Sequence, residues 1–128
     1  MRNFSCASCG GRVFFENSRC LPCQAELGFV PGDLAIATFQ PKAPNGTQQR
    51  IGGQGLYQRC GNHTTASACN WMIPAEFTGS FCMSCRLNHI IPDLSSPRNQ
   101  HAWLKLETAK RRLLYNLLAL GLPIRSKQ

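Results

Sequence analysis

Toward the end of the chain the apolar positions take on a helical period. Between Ser96 and Gly121, residues Trp103, Leu106, Leu113, Leu114, Leu117 and Leu118 recur at three- and four-residue steps, which marks one helix face. Ser96 offers an N-cap hydroxyl, and Pro97 suits the first helical position because its missing amide hydrogen would have no partner there; Gly121 and Pro123 close the run. A helix from Pro97 to Leu120 would be roughly 36 Å long. With Trp103 as origin and about 100° per residue, the leucines predict a stripe from roughly 280° to 60°, with Lys110 inside it at about 340° and Arg111 and Arg112 outside. The stripe assigns Trp103, Leu106, Lys110, Leu113, Leu117 and Leu118 to an interaction face. Lys110 is expected to lie along a partner surface or pair with a carboxylate there, and Arg111 to make a surface pair with Glu107.

Earlier in the chain the periods are shorter. Arg12-Val13-Phe14-Phe15-Glu16-Asn17 reads as a short strand and turn, and Leu34-Ala35-Ile36-Ala37-Thr38-Phe39 as a second strand with weak alternation. From Gln40 to Gly55 the chain is rich in Pro, Gly, Gln and basic residues and poor in large apolar side chains, which predicts a loop or linker. The resulting units are 1–30, a strand and flexible linker over 31–59, a second unit over 60–92, and a helix over 96–121.

Composition changes this picture through cysteine. Eight of the 128 residues are Cys, and a chain of this length holds one modest core or two very small ones, so the thiols are expected to act as staples. Met1-Arg2-Asn3-Phe4-Ser5-Cys6 has no apolar run of signal-peptide length, which predicts a cytoplasmic, reducing setting and favours metal ligation over disulfides. No apolar run approaches membrane-spanning length, so no membrane partner is expected.

The spacing of the thiols is specific. A Cys-x-x-Cys turn aims two sulfurs at one point, and Cys6-Ala7-Ser8-Cys9-Gly10-Gly11 places small residues where amide hydrogens must also face the sulfurs. Cys6 and Cys9 with Cys20 and Cys23 form two such pairs, separated by a hairpin's length of chain, and predict a tetrahedral shell for a structural Zn²⁺; disulfides, iron or free thiols are the alternatives. Cys60, Cys69, Cys82 and Cys85 predict a second Zn²⁺ site. Their first two members are more widely spaced, so His63 or His89 could take a ligand place. Four protein ligands leave a metal no open position, so two such sites supply folding energy and no Lewis acid.

Charge and the remaining inventory narrow the function classes. The formal net charge is +8, and eight thiolates around two divalent cations would bring it to about +4. Arg12, Arg19, Arg50, Arg59, Lys105, Lys110, Arg111 and Arg112 could contact phosphate, but they are scattered along the chain. A thiol redox role is weaker still, because the pairs come in ligating sets. His63, His89 and His101 are far apart, no His-Glu-x-x-His occurs, and Gly52-Gly53-Gln54-Gly55 lacks the Gly-Lys-Ser/Thr ending of a phosphate loop, so this chain is not expected to be an enzyme.

A wider set of residues now carries a resemblance. It comprises Phe4-x-Cys6-x-x-Cys9, Phe14-Phe15-Glu16-Asn17, Cys20-x-x-Cys23, Leu27-Gly28-Phe29, Cys60-x-Asn62, Cys69-Asn70-Trp71, Cys82-x-x-Cys85-Arg86-Leu87-Asn88, Ile91-Pro92-Asp93-Leu94, Trp103, Ala109-Lys110-Arg111-Arg112-Leu113 and Leu120-Gly121-Leu122-Pro123. Together they resemble the N-terminal zinc-ribbon region of a bacterial family of zinc-binding metallopeptidases. The expected fold is then a small zinc-stabilised α+β chain: two zinc-ribbon-like units with short antiparallel strands, followed by a long amphipathic helix. The resemblance implies a fragment or natural truncation that scaffolds, or presents substrate to, a downstream catalytic domain. That domain, or another protein, would be the partner of the helix face. A free-standing adaptor for nucleic acid or protein is the alternative.

Overall fold

The chain first makes a hairpin of two very short antiparallel strands, β1 (Phe4–Ser5) and β2 (Arg12–Val13), with Phe4 opposite Val13. A computed structural model describes residues 3–66 and 69–125, the side chains of 64–66 excepted. After the hairpin come β3 (Glu26–Val30), β4 (Ala35–Phe39), β5 (Gln48–Ile51), β6 (Leu56–Arg59), α1 (Gly61–Ala66), β7 (Met72–Pro74) and α2 (Pro97–Ala119). Strands β3 to β7 form an antiparallel five-stranded meander in sequence order.

The meander curls until its ends meet. Phe29 of β3 bridges to Trp71 beside β7, with its amide donating to the Asn70 carbonyl at 2.8 Å, and Arg59 Nη1 donates to the Leu27 carbonyl at 2.7 Å. Curling buries both faces of the first two strands: Leu27, Phe29, Val30, Ile36, Ala37, Thr38 and Phe39 are all buried. Burial on both faces explains why Leu34 to Phe39 shows so little alternation in the sequence.

The expected linker over 40–55 needs correction, because its later half is sheet. In β5, Arg50 pairs with Phe39 and Ile51 with Thr38, while Gln48 faces Tyr57 of β6. Gln48 is buried, and its amide donates to the Gln40 carbonyl at 3.0 Å. A segment without apolar bulk can be a strand when the ladder satisfies its backbone and the neighbouring strands supply the buried area. The loops are 40–47, as expected, and the turn at 52–55, where Gly52 and Gly55 adopt φ of 74° and 114°.

Helix α2 starts and ends as its sequence requires. The Ser96 hydroxyl accepts from the Asn99 amide at 3.5 Å. Gly121, at φ 73°, donates to the Leu118 carbonyl while Leu122 donates to that of Leu117, the two bonds of a Schellman stop. Its buried face is rotated from the predicted stripe: Trp103, Glu107, Arg111, Leu114 and Tyr115 are buried, whereas Leu106 and Leu113 are 70% and 56% exposed. On the helical wheel this face runs from about 0° to 120°. Arg111, expected in a surface pair, therefore points inward. Tyr115 sets the rotation because its ring lodges against Phe4, Phe15 and Phe29 of the N-terminal unit.

Those aromatics form the centre of the molecule. Phe29 lies 5.0 Å from Phe15, 4.7 Å from Trp71 and 5.9 Å from Tyr115, between ring centroids, and Tyr115 also meets Phe4 at 6.5 Å. Both cysteine units, the sheet and α2 thus share one core. Phe29→Ala is expected to cost about 3–5 kcal/mol in chemical denaturation of the metal-loaded chain. Leu113→Ala, at an exposed position, should change stability by less than about 0.5 kcal/mol.

Candidate metal centres

The first cysteine set is built from two matching turns. Cys6 donates its amide to the Gly11 carbonyl and accepts from the Gly10 amide at its own carbonyl, both at 2.8 Å; Cys20 does the same with Ala25 and Gln24, at 2.8 and 2.7 Å. Gly10 and Gln24 occupy the same place in each turn, at φ 77° and 64°. Glycine adopts that conformation without strain, whereas Gln24 holds it with its side-chain amide bonded to the Leu21 carbonyl at 2.9 Å. The turns face each other so that Sγ of Cys6 lies 3.7 Å from that of Cys23, and Sγ of Cys9 lies 3.6 Å from that of Cys20.

Several donors from outside the thiols point at this set. The Ser8 and Gly11 amides reach Cys6 and Cys9 Sγ, each at 3.4 Å. Thr38 of β4 accepts from the Ala7 amide at 2.9 Å and turns its hydroxyl toward Cys6 Sγ at 3.8 Å, which ties the turn to the sheet. No local pattern marks Thr38 for this role, because its contact crosses between units.

The second set draws on three segments. Cys60 follows β6, Cys69 follows α1, and Cys82 and Cys85 flank the entry to a short 3-10 turn over Cys85–Leu87. Sγ of Cys69 and Cys82 are 3.6 Å apart, the Cys82 amide reaches Cys60 Sγ at 3.5 Å, and the Cys85 amide reaches Cys82 Sγ at 3.4 Å. All four are buried, whereas Cys9 and Cys23 of the first set are exposed. In each set the four sulfurs lie within 4.8 Å of one another.

These sets can coordinate metal ions. Sulfurs at about 2.3 Å from a tetrahedral zinc would stand about 3.8 Å apart, close to the separations observed and far from the roughly 2.05 Å of a disulfide. All eight cysteines are free thiols. Among the described residues, these two sets are the only groups of three or more His, Cys, Asp or Glu side chains placed to share an ion.

Crowding splits the acidities of the thiols. Burial opposes ionisation of Cys6, but the Cys9 and Ser8 amides and the Thr38 hydroxyl outweigh it and lower its pKa from 9.0 to about 6. Cys20 is pushed up to about 12: the Cys23 amide favours its thiolate, yet burial and the adjoining thiols prevail. In the second set, hydrogen bonds from Cys69 and Cys82 hold Cys60 well below the ordinary thiol range, while the same contacts push Cys69 up. Complete ionisation of sulfurs this close needs a cation among them.

The other sequence candidates lie apart from the sulfurs. His63 Nδ1 sits 3.1 Å from the Cys69 carbonyl oxygen, and burial, then the Arg59 charge, lowers its pKa. His89 and His101 are exposed. On α2, Lys110 pairs with Glu107 at 2.9 Å and donates to Asn88, and Leu117 and Leu118 are half-buried. Arg50 pairs with Asp33, Arg59 with Glu26 at 3.3 Å and Arg112 with Glu16, so four of the scattered basic residues are committed within the chain. No helix among the described residues is long and apolar enough to cross a membrane.

Comparison with known proteins adds a family-level finding. A zinc-ribbon domain family model matches residues 3–96. Uncharacterized proteins of Mycobacterium bovis and Mycobacterium tuberculosis are 36% identical over 124 residues, covering 97% of this chain and 33% of theirs. The chain therefore spans about a third of the length of the curated relatives it matches. No solved structure matches it.

Protons compete with a cation for these sulfurs, and the sign follows from Cys6. A thiol lowered to about 6 from 9.0 contributes stability that is complete above 9.0 and is lost as pH falls through about 6; a bound cation carries the loss to lower pH. Acidification of the zinc-loaded chain, followed with a zinc-sensitive dye, is expected to release metal in two steps. The first set, with two exposed cysteines, should empty at the higher pH. Cys9→Ser should abolish that step and leave the other.

Proposed function

The chain belongs to the zinc-ribbon domain family, and from that premise we propose that it is a non-catalytic structural module held together by two Zn²⁺ ions, one in Cys6, Cys9, Cys20 and Cys23 and one in Cys60, Cys69, Cys82 and Cys85. The observation that carries this reading is the pair of four-sulfur sets with separations of 3.6–3.7 Å. Each shell is filled by protein ligands, so a bound ion would have no position for water or substrate. Reduced thiols fit a reducing, cytoplasmic setting. His63, turned to the Cys69 carbonyl, supports an all-cysteine second shell.

The module serves as the N-terminal scaffold of a longer protein, and the metallopeptidase resemblance makes a catalytic domain the partner. Two features support this. The matched relatives are about three times as long as the stretch they share with the chain, and Leu106 and Leu113 stand 70% and 56% exposed on one side of α2. Leu117 and Lys110 border that side, while Trp103 and Leu118 lie on the face turned to the core. In the division of the chain, 1–30 and 60–92 are the two ribbon units, 31–59 supplies most of the sheet between them, and 96–121 is the docking helix. A nucleic-acid adaptor has less support, since Arg50, Arg59, Lys110 and Arg112 are paired within the chain and Arg111 is buried.

Native mass spectrometry is expected to find two zinc ions per chain; a folded protein with four disulfides and no metal would overturn the reading. The docking role predicts that Leu106→Glu with Leu113→Glu leaves the chain's thermal unfolding nearly unchanged. The same double variant should lose calorimetric binding to the part of the Mycobacterium tuberculosis relative that lies outside the matched stretch.

A further inference from the structure

The outer side of α2 carries its residues in sevens. Leu106, Leu113 and Leu120 form one row, the last of them 73% exposed. Arg98, Lys105 and Arg112 form a second exposed row, and Ala102, Ala109 and Asn116, exposed as well, lie between the two. With Trp103 as origin, the leucines fall at about 260–300°, the small residues at about 220–260° and the cations at about 180–220°. A seven-residue row drifts only about 20° per heptad around a straight helix, so it can stay in contact with one neighbouring helix that winds gently about it. The leucine side is bordered by the segment before α2. Lys110 donates to Asn88, and the Asn99 side-chain amide donates to the Asp93 carbonyl at 3.2 Å, so residues 88–93 run beside the first half of the helix. Ile90 and Ile91 lie within that stretch and are exposed, which adds apolar surface on this side.

Charge selects the occupant. Among the described residues Arg98 and Lys105 enter no ion pair, and Arg112, although paired with Glu16, has a side chain 58% exposed. Glu107, the one carboxylate of α2, is buried and paired with Lys110. A second copy packed antiparallel would bring the two cation rows face to face, and packed parallel would set Lys105 against Lys110, so self-pairing is opposed in both directions. A nucleic-acid backbone would use the cations and leave the leucines bare. A bilayer surface favours a helix that offers it aromatic side chains, and α2 turns Trp103 and Tyr115 inward.

We propose that α2 receives one amphipathic α-helix whose leucine-class residues sit on the Leu106, Leu113 and Leu120 row and whose carboxylates meet Arg98, Lys105 and Arg112. The source of that helix, the rest of the longer protein, rests on the docking reading above; its chemistry rests on the two rows. The zinc-loaded full chain is titrated by calorimetry with two synthetic helical peptides that share a leucine and alanine seam. They differ only in carrying Glu or Lys along the flank. The part of the Mycobacterium tuberculosis relative outside the matched stretch is the third titrant. The Glu peptide should bind at least about fivefold tighter than the Lys peptide, and the gap should shrink as salt rises. Arg98→Glu with Lys105→Glu should reverse the order while keeping zinc content and thermal unfolding, whereas the exposed Lys42→Glu should leave it unchanged. The relative's region should compete with the Glu peptide. Equal affinity for the two peptides, no binding of either, or an order indifferent to the charge reversal would overturn the proposal. So would tighter association with anionic phospholipid vesicles than with the Glu peptide, or a dimer in sedimentation that Leu113→Glu dissociates. If the Glu peptide binds and the relative's region does not, the source of the helix is overturned together with the docking reading, and its chemistry stands. If that region binds while the peptides do not differ, the docking reading stands and the acidic helix is overturned. Should the charge-reversed variant lose zinc, the peptide comparison and its salt dependence on the unsubstituted chain decide the matter.

Discussion

Four sulfurs can meet at one point only if the segments that carry them are fixed from both sides, and the rest of the structure follows from meeting that condition twice. The first set brings together the turn that closes the β1–β2 hairpin and a second turn over Cys20–Ala25, and the second gathers a strand end, the segment after a short helix and a turn. Neither unit has a core of its own. The rings of Phe4, Phe15, Phe29, Trp71 and Tyr115 come from both units, the sheet and α2, and they lie in one cluster between the sulfur sets. The sheet is the common frame. Thr38 holds the Cys6 turn to β4, and Asn70, next to Cys69, is bonded to the carbonyls of Phe15 and Asn17.

Charge has to be arranged around such centres as carefully as volume. A tetrathiolate around a divalent ion carries a net negative charge, and buried cations stand close to the second set. Arg59 is bonded to the Leu27 carbonyl and paired with Glu26, and burial lowers its pKa despite that partner. Arg111 shares a cavity wall with Cys69. The chain's excess of basic residues is thus partly an internal matter, and its net charge of +8 overstates what the surface presents.

Local chemistry was legible in the sequence, and chemistry that crosses between units was not. The cysteine pairs, the Ser96 cap, the Gly121 stop and the extent of α2 each depend on residues a few positions apart, and all could be read directly. The rotation of α2 could not, because Tyr115 is drawn inward by Phe4, Phe15 and Phe29, more than eighty residues away in sequence. Strand β5 was hidden for a similar reason: Gln48 and Gln49 look like linker residues until β4 and β6 supply their hydrogen bonds and apolar cover. The bonding roles of Asn70 and Thr38 were not legible, because an isolated amide or hydroxyl in a sequence names no partner.

The curling of the meander has a consequence for the life of the chain before it is complete. In the finished structure the outer margin of β3 is occupied: Leu27 donates to the Ser18 carbonyl and Phe29 to that of Asn70. These covering segments flank Cys20 and Cys69, so closure of the cysteine sets helps hold them in place. A nascent or thiol-oxidised chain would present that margin bare, as a template on which a neighbouring molecule could add a strand. Ligation of the sulfurs would then guard against self-association in crowded surroundings, in addition to maintaining the fold of each single molecule.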